Sequence, residues 1–313
     1  MGHLSYHGVL PAMQVPFKPD YSIDEPELRR FTSWLAGTRG ITGLVTNGHT
    51  GEVFALNAEE RAEVTRIVAD EVEGRLPVVS GICVEGIDEA CAHAEMAKRA
   101  GASGLLVMPP HQWLRFGMKP EHVVEHFTAI GKASGLDLVV HVYPSWTRAA
   151  YSCELLAQLA RLPWVKVFKV GTRDMNKYVM DIKAIREAAP EKTILTCHDE
   201  YLLASMVQGV DGALVGFASF IPQKIVALWE AVQAGDLKRA MGIQFDINPL
   251  KQAVYGFGEP TGEAHARMKM AMFLAGLMSS PVVRRPTNQP AGADLEAIRH
   301  ALAGAGMLQK QAA

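Results

Sequence analysis

The chain has 313 residues and a mass of 34.0 kDa, with 49% hydrophobic residues, 20% charged residues and a mean hydropathy of +0.06. That composition excludes a disordered or fibrous chain, and the length suits one large barrel or two domains. The formal net charge is −2 and no basic stripe or polybasic tail is present, so neither nucleic acid nor an anionic membrane is expected as a partner.

Short apolar runs alternate with longer amphipathic ones. Gly8 to Gln14 reads as a strand, followed by a helix from Glu25 to Ala36 that Asp24 caps and whose opening turn tolerates Pro26. Gly43 to Thr46 is the second strand. The helix after it, Ala58 to Val72, is opened by Asn57 with Glu60 three residues on, the spacing of a capping box, and sets Val64, Ile67, Val68 and Val72 on one face. Strands are then expected at Pro77 to Gly81, Gly104 to Met108, Leu138 to Val142, Val165 to Val170, Thr193 to Thr196 and Gly212 to Val215. The helices between and after them are Ile87 to Ala100, Pro120 to Ala133, Cys153 to Leu162, Asn176 to Ala189, Glu200 to Gln208 and Gln223 to Ala234. The strand segments are almost continuously apolar, as parallel strands buried on both faces are. Eight strands alternating with eight helices over residues 1–234 imply a (β/α)8 TIM barrel. An open doubly wound sheet is disfavoured, because no Gly-rich dinucleotide fingerprint follows the first strand.

After Ala234 the strand pattern stops. Residues 235–313 read as a C-terminal helical extension, with helices from Asp236 to Tyr255, Gly262 to Met278 and Asp294 to Ala303, and with Pro281, Pro286 and Pro290 breaking the chain between the last two. This extension is expected to pack on the barrel or on a second subunit. The four cysteines, Cys83, Cys91, Cys153 and Cys197, form no CxxC pair, so free thiols are expected rather than a disulfide framework or zinc knuckle. No signal-peptide pattern and no apolar run of ~18 residues occurs, which points to a soluble, cytoplasmic protein.

In a barrel, chemistry gathers at the C-terminal ends of the strands. Four of the eleven histidines fall on such ends: His49 after strand two, His111 after strand four, His141 on strand five and His198 after strand seven. Lys169 stands on strand six, and alternation puts it on the same face as Val165 and Val167. Burial lowers the pKa of an inward lysine, and its neutral amine is the nucleophile of Schiff-base chemistry. The alternative is a lysine at a strand end that snorkels to solvent. The loop Gly48-His49-Thr50-Gly51-Glu52 sets glycines around two donors. Its N–H groups suit a carboxylate, although a plain tight turn would look the same.

These segments resemble the dihydrodipicolinate synthase and N-acetylneuraminate lyase superfamily of class I, Schiff-base-forming aldolases. The resemblance runs from about Gly8 to Gln223. It rests on Gly48 to Glu52 followed by Leu56-Asn57-Ala58-Glu59-Glu60-Arg61, on Val107-Met108-Pro109 and on Lys169, with Pro144-Ser145 and Asp199 in support. It implies a barrel with a helical extension, no cofactor, and a homo-oligomer, tetramer or dimer. It also implies that Lys169 forms an imine with pyruvate or another 2-oxo acid whose carboxylate lies against His49, Thr50, Gly48 and Gly51. This sequence departs from the family where a Thr and two Tyr usually form a proton relay: His49, His111 and His141 occupy those places, with Tyr143 on the same strand face as His141. Trp146 replaces the Arg that binds the aldehyde's carboxylate in dihydrodipicolinate synthases, and Val170 replaces a Glu. The resemblance therefore implies a lyase acting by aldol cleavage, condensation or dehydration. His141 would shuttle the proton, His49 and His111 would polarise it, and Trp146, Arg148, His198, Glu200 and Leu214 would line the far end of the substrate.

Two other readings remain at this level. In one, His49, His111, His141 and His198 converge on a catalytic metal, with Asp199 or Glu200 as base, giving a metal-dependent hydrolase or lyase. Alternatively the chain binds a 2-oxo acid without turning it over. The string His122-Val123-Val124-Glu125-His126 matches a metalloprotease pattern but falls on the helix after strand four, outside the barrel.

Overall fold

The computed structural model describes residues 5–256 and 261–309. In chain order, β1 (Gly8–Pro11) leads to α1 (Glu25–Ala36), β2 (Leu44–Thr46) to α2 (Ala58–Val72), and β3 (Val78–Ile82) to α3 (Ile87–Arg99). β4 (Gly104–Val107) leads to a short α4 (His111–Phe116) and then α5 (Pro120–Ser134), β5 (Asp137–Val142) to α6 (Cys153–Ala160), and β6 (Val165–Val170) to α7 (Met175–Ala188). β7 (Thr193–Thr196) leads to α8 (Leu202–Met206) and β8 (Gly212–Val215) to α9 (Pro222–Gln233). The extension adds α10 (Leu237–Tyr255), α11 (Ala264–Leu274) and α12 (Gly292–Gly304).

Every strand pairs parallel with its neighbour in the order β1-β8-β7-β6-β5-β4-β3-β2. The seam between β1 and β2 is held by Thr42 N–H donating to Val9 O at 3.0 Å and Met13 N–H donating to Val45 O at 2.9 Å, which nearly closes the cylinder. This is the expected barrel with a C-terminal helical extension.

Side-chain alternation explains its interior. Leu10, Val45, Val79, Leu106, Val139, Val167, Leu195 and Leu214, one from each strand, form a buried plug. Two residues further along four adjacent strands stand His141, Lys169, Cys197 and Gly216, which line a cleft above that plug. A register shift between Leu138 and Val139 lets Lys166 bulge out and stay exposed, while Val167 and Lys169 keep the inward face.

Local chemistry places the helices. Asn57 accepts from Glu60 N–H at 2.8 Å and Glu60 accepts from Asn57 N–H at 3.0 Å, the reciprocal bonds of the expected capping box. Asp24 caps α1 as expected. Three of the differences from the sequence expectation have a visible local cause. Behind Pro109-Pro110 the chain forms α4, whose first two N–H groups, on His111 and Gln112, each donate to the Glu85 carboxylate at 3.0 Å. α8 starts at Leu202 rather than Glu200, because the Glu200 carboxylate is drawn to Arg173. α11 stops at Leu274, where Leu277 N–H turns back to Met272 O at 2.8 Å around Gly276. α10, α11 and α12 pack on one another, and Leu250, Val254, Met268, Met272 and Leu302 join the core that also holds Phe217 and Phe220. No helix among the described residues is long and apolar enough to cross a membrane.

Candidate active site

The cleft at the C-terminal ends of the strands has a volume of about 420 Å³. Its floor is Lys169. The register pairs His141 on β5 with Lys169 on β6, so the two side chains leave neighbouring backbones, about 4.8 Å apart, on the same face. Lys169 is half-buried. Desolvation is the main cause that lowers its pKa below the usual lysine value, with Arg173 adding to it and Cys197 and Asp199 opposing.

Two histidines and a tyrosine stand over the lysine. Tyr143 O–H and His49 Nε2 share a 2.8 Å hydrogen bond. The His141 ring centre lies 4.7 Å from Tyr143 and 5.5 Å from His49. Burial pushes His49 down to about 3, helped by the charge of Lys169, and holds His141 well below its usual value for the same two reasons. Both imidazoles are therefore neutral at physiological pH, while burial keeps the Tyr143 phenol protonated. His141 is buried, and none of the described residues hydrogen-bonds its Nδ1. An orphaned nitrogen in a cleft wall is where a ligand proton would be exchanged.

The loop after β2 forms the opposite lip. Asn47, at φ 55°, donates through Nδ2 to Arg61 O at 2.8 Å and to Thr65 Oγ1 and Ser80 Oγ at 3.0 Å each, which pins the start of the loop. A 3₁₀ turn over His49–Gly51 follows. Arg61 then ties a second 3₁₀ turn, Val53–Ala55, donating to Val53 O at 2.9 Å, Leu56 O at 3.0 Å and Cys83 O at 3.1 Å. Gly48 caps the first turn. Gly51 lies so near β1 that a Cβ would come within 2.9 Å of Met13 O. Neither glycine lines the cleft itself; they shape the turn that presents His49 and Thr50 to it.

At the end of β8, Gly216 leaves a gap shared by two hydroxyls. A Cβ there would sit 2.7 Å from the Tyr255 hydroxyl and 3.0 Å from Thr50 Oγ1. Tyr255, from α10, donates to Asp199 Oδ2 at 3.1 Å, and the same carboxylate accepts from Gly216 N–H at 3.0 Å and Phe217 N–H at 2.8 Å. Burial raises Asp199 to about 6 against the pull of those donors. Arg173, after β6, lines the cleft and donates through Nε to Glu200 Oε1 at 2.7 Å.

Lys169, His141, His49, Tyr143, Thr50, Trp146 and Leu214 are thus brought together around one cleft. Besides Gly48 and Gly51, four expected site residues are not. His111 is exposed at the start of α4, because the Glu85 carboxylate holds that helix end away from the cleft. Arg148 is exposed and off the lining. His198 is buried behind β7, between the rings of Tyr178 at 4.9 Å and Tyr201 at 4.7 Å, since alternation gives the inward places to Cys197 and Asp199. Glu200 faces Arg173 rather than the cleft. With His111 and His198 elsewhere, the four-histidine metal site does not assemble, and among the described residues no group of three His, Cys, Asp or Glu side chains is placed to hold a metal. In the HxxEH string, His122 and Glu125 are exposed while His126 is buried against Trp113, so its two histidines do not share a site.

Sequence reasoning missed Arg173, Cys197, Gly216 and Tyr255, and it missed His265 and Met268 from α11, all of which line the cleft. Cys197 and Gly216 were reachable by counting two residues past the inward Leu195 and Leu214. The others depend on how loops and the extension fold back.

Comparison with known proteins agrees with the barrel fold. The model of the dihydrodipicolinate synthetase family matches residues 5–303. A 4-hydroxy-tetrahydrodipicolinate synthase from Acidiphilium cryptum is 31% identical over 305 residues, covering 97% of this chain and 99% of that protein. An uncharacterized DapA-like lyase of Halobacterium salinarum is also 31% identical, over 309 residues, with 97% and 96% covered. Among solved structures, YagE from E. coli K12, in complex with pyruvate, superposes with a TM-score of 0.87 at 24% identity, covering 96% of this chain and 99% of that one. N-acetylneuraminate lyase from Fusobacterium nucleatum superposes with a TM-score of 0.83 at 21% identity, covering 97% and 99%.

Proposed function

The chain belongs to the dihydrodipicolinate synthetase family and is a lyase of that type, and from this premise we propose that it acts on pyruvate or another 2-oxo acid through an imine on Lys169, by aldol cleavage, condensation or dehydration. The observation that carries the proposal is the half-buried Lys169 amine, its pKa lowered by burial, on the floor of a cleft whose walls are Thr50, His141 and the His49–Tyr143 pair.

The chemistry follows from those groups. The 2-oxo acid enters with its carboxylate against Thr50 and the turn that holds it. The neutral Lys169 amine attacks the C2 carbonyl carbon. His141, on the neighbouring strand, passes a proton from the nitrogen to the carbinolamine oxygen, and a second proton, taken up from solvent, lets that oxygen leave as water and gives the iminium. The iminium so formed draws electrons from C3. Either a C3 proton passes to His141, or His141 takes the proton of the C4 hydroxyl as the C3–C4 bond breaks and an aldehyde is released; both leave an enamine. Reprotonation at C3 and attack of water at C2 return the free amine. Keeping His49 and His141 uncharged matters here, because a cationic imidazole would oppose the positive charge growing on the nitrogen. Arg173, Trp146 and Leu214 meet the rest of the substrate. Trp146, exposed at the rim, stands where the resemblance expects an arginine, so the lysine-pathway synthase reaction is not the activity we assign.

The same proposal includes a homo-oligomer, dimer or tetramer, and a cytoplasmic location. The four free thiols support the latter. The test is to supply a panel of 4-hydroxy-2-oxo acids and follow release of pyruvate. At least one is cleaved by the wild type and not by Lys169→Ala. Equal activity in that variant contradicts the proposal.

A further inference from the structure

We propose that Lys269, on helix α11 of the C-terminal extension, is a positioning residue for the 2-oxo acid site, acting through Glu52 on the loop that carries His49 and Thr50. The inference rests on the imine-forming reading of that site. It assigns the extension a working part in substrate binding.

Glu52 sits between two 3₁₀ turns in a left-handed conformation, φ 55° and ψ 38°, which a residue with a side chain holds only where its surroundings fix it. Those surroundings come from the extension. One carboxylate oxygen is ion-paired to Lys269 Nζ, and the other accepts from Arg284 N–H at 2.9 Å. The Lys269 ammonium also donates to Val15 O at 2.8 Å and Val282 O at 3.1 Å, and lies 4.5 Å from the centre of the Phe17 ring. Both charged side chains are buried, so the ammonium is satisfied by protein groups and the carboxylate has no bulk water to turn to.

The link to the cleft is short. Glu52 N–H donates to His49 O at 3.0 Å, closing the turn that presents His49 and Thr50. The residue beside Lys269, Met268, forms part of the cleft wall, whereas Lys269 does not. One helix therefore shapes the wall and clamps the loop facing it. Since Lys269 reaches no substrate, its removal should loosen binding and spare the chemical step.

The test uses the full chain with pyruvate and borohydride, reading the fraction reductively trapped against pyruvate concentration. In Lys269→Met the half-saturating concentration should rise tenfold or more, while trapping at saturation stays within twofold of wild type. Glu52→Gln, which keeps the side-chain shape, should raise it likewise and serves if the lysine variant does not fold. Ile298→Ala, a buried change in α12 away from the loop, should lower the melting temperature without moving the half-saturation point. The proposal is overturned if Lys269→Met or Glu52→Gln keeps the wild-type half-saturation, or if Ile298→Ala raises it equally. Absence of trapping in the wild type would overturn the imine reading instead. The pyruvate-induced rise in melting temperature would then supply the half-saturation for the same comparison.

Discussion

Burial keeps the histidines of the cleft uncharged, and this sets the pH behaviour of the reaction. His49 is pushed down to about 3 and His141 well below 6.5, so neither changes charge near neutrality. Lys169, whose pKa burial lowers, becomes the group that gates nucleophilic attack. The rate of reductive trapping should rise with pH as the amine loses its proton, with no histidine inflection near 6.5; a clear step there would show that an imidazole titrates. Replacing His141 by Phe preserves the ring volume and removes the proton shuttle. Trapping should slow by ~10²–10⁴, the usual worth of a positioned acid–base group, with the melting curve little changed. A loss under tenfold would assign the shuttle to another group, the Tyr143–His49 pair being nearest.

At the scale of elements, alternation along the strands did most of the positioning. The inward face of Lys169 was legible from its parity with Val167, and both Lys169 and His141 stand near strand ends; Val165, expected on the same face, packs in the outer core instead, because the bulge at Lys166 breaks the alternation. The same parity, carried past Leu195, would have turned His198 away from the cleft, yet a histidine at a strand end reads alike on either face. His111 failed for a different reason. Its place depends on Glu85, from another loop, capping α4, and a contact between distant loops leaves no periodic trace. Arg173, Tyr255 and Met268 were hidden likewise, being supplied by a loop and by the extension. The end of β8 gives a direct test. Gly216→Ala would place a methyl 2.7 Å from the Tyr255 hydroxyl and 3.0 Å from Thr50 Oγ1. Crowding a packed site costs roughly 1–3 kcal/mol, which corresponds to about a five- to 150-fold rise in the half-saturating pyruvate concentration. Isothermal titration or trapping would measure it, and unchanged affinity would show that the gap is not where the carboxylate sits.

At the scale of the whole molecule, buried imidazoles tie stability to pH. In the folded chain His49 and His198 sit at about 3 and His126 at about 4, all lowered chiefly by burial, against 6.5 for an exposed histidine. Between pH 6.5 and about 4 the unfolded chain binds protons that the folded chain refuses, so stability falls as pH drops through this window. Asp199, raised from 3.8 to about 6, acts in the opposite direction, but it is one group against these three and His141, which burial also lowers. Thermal unfolding should therefore show a melting temperature that declines steadily from pH 6.5 to 4.5; a rise would contradict neutral burial of these side chains. Leu237, Met241 and Phe245, exposed at four-residue spacing on α10, give the proposed oligomer an apolar stripe to cover. Sedimentation should return twice or four times the 34.0 kDa chain mass. The proposed chemistry requires that the amine on β6 capture a keto group. Borohydride reduction in the presence of pyruvate, followed by peptide mass mapping, decides it: a carboxyethyl group on Lys169 is the predicted product, and an unmodified Lys169, or modification at another lysine instead, would contradict it.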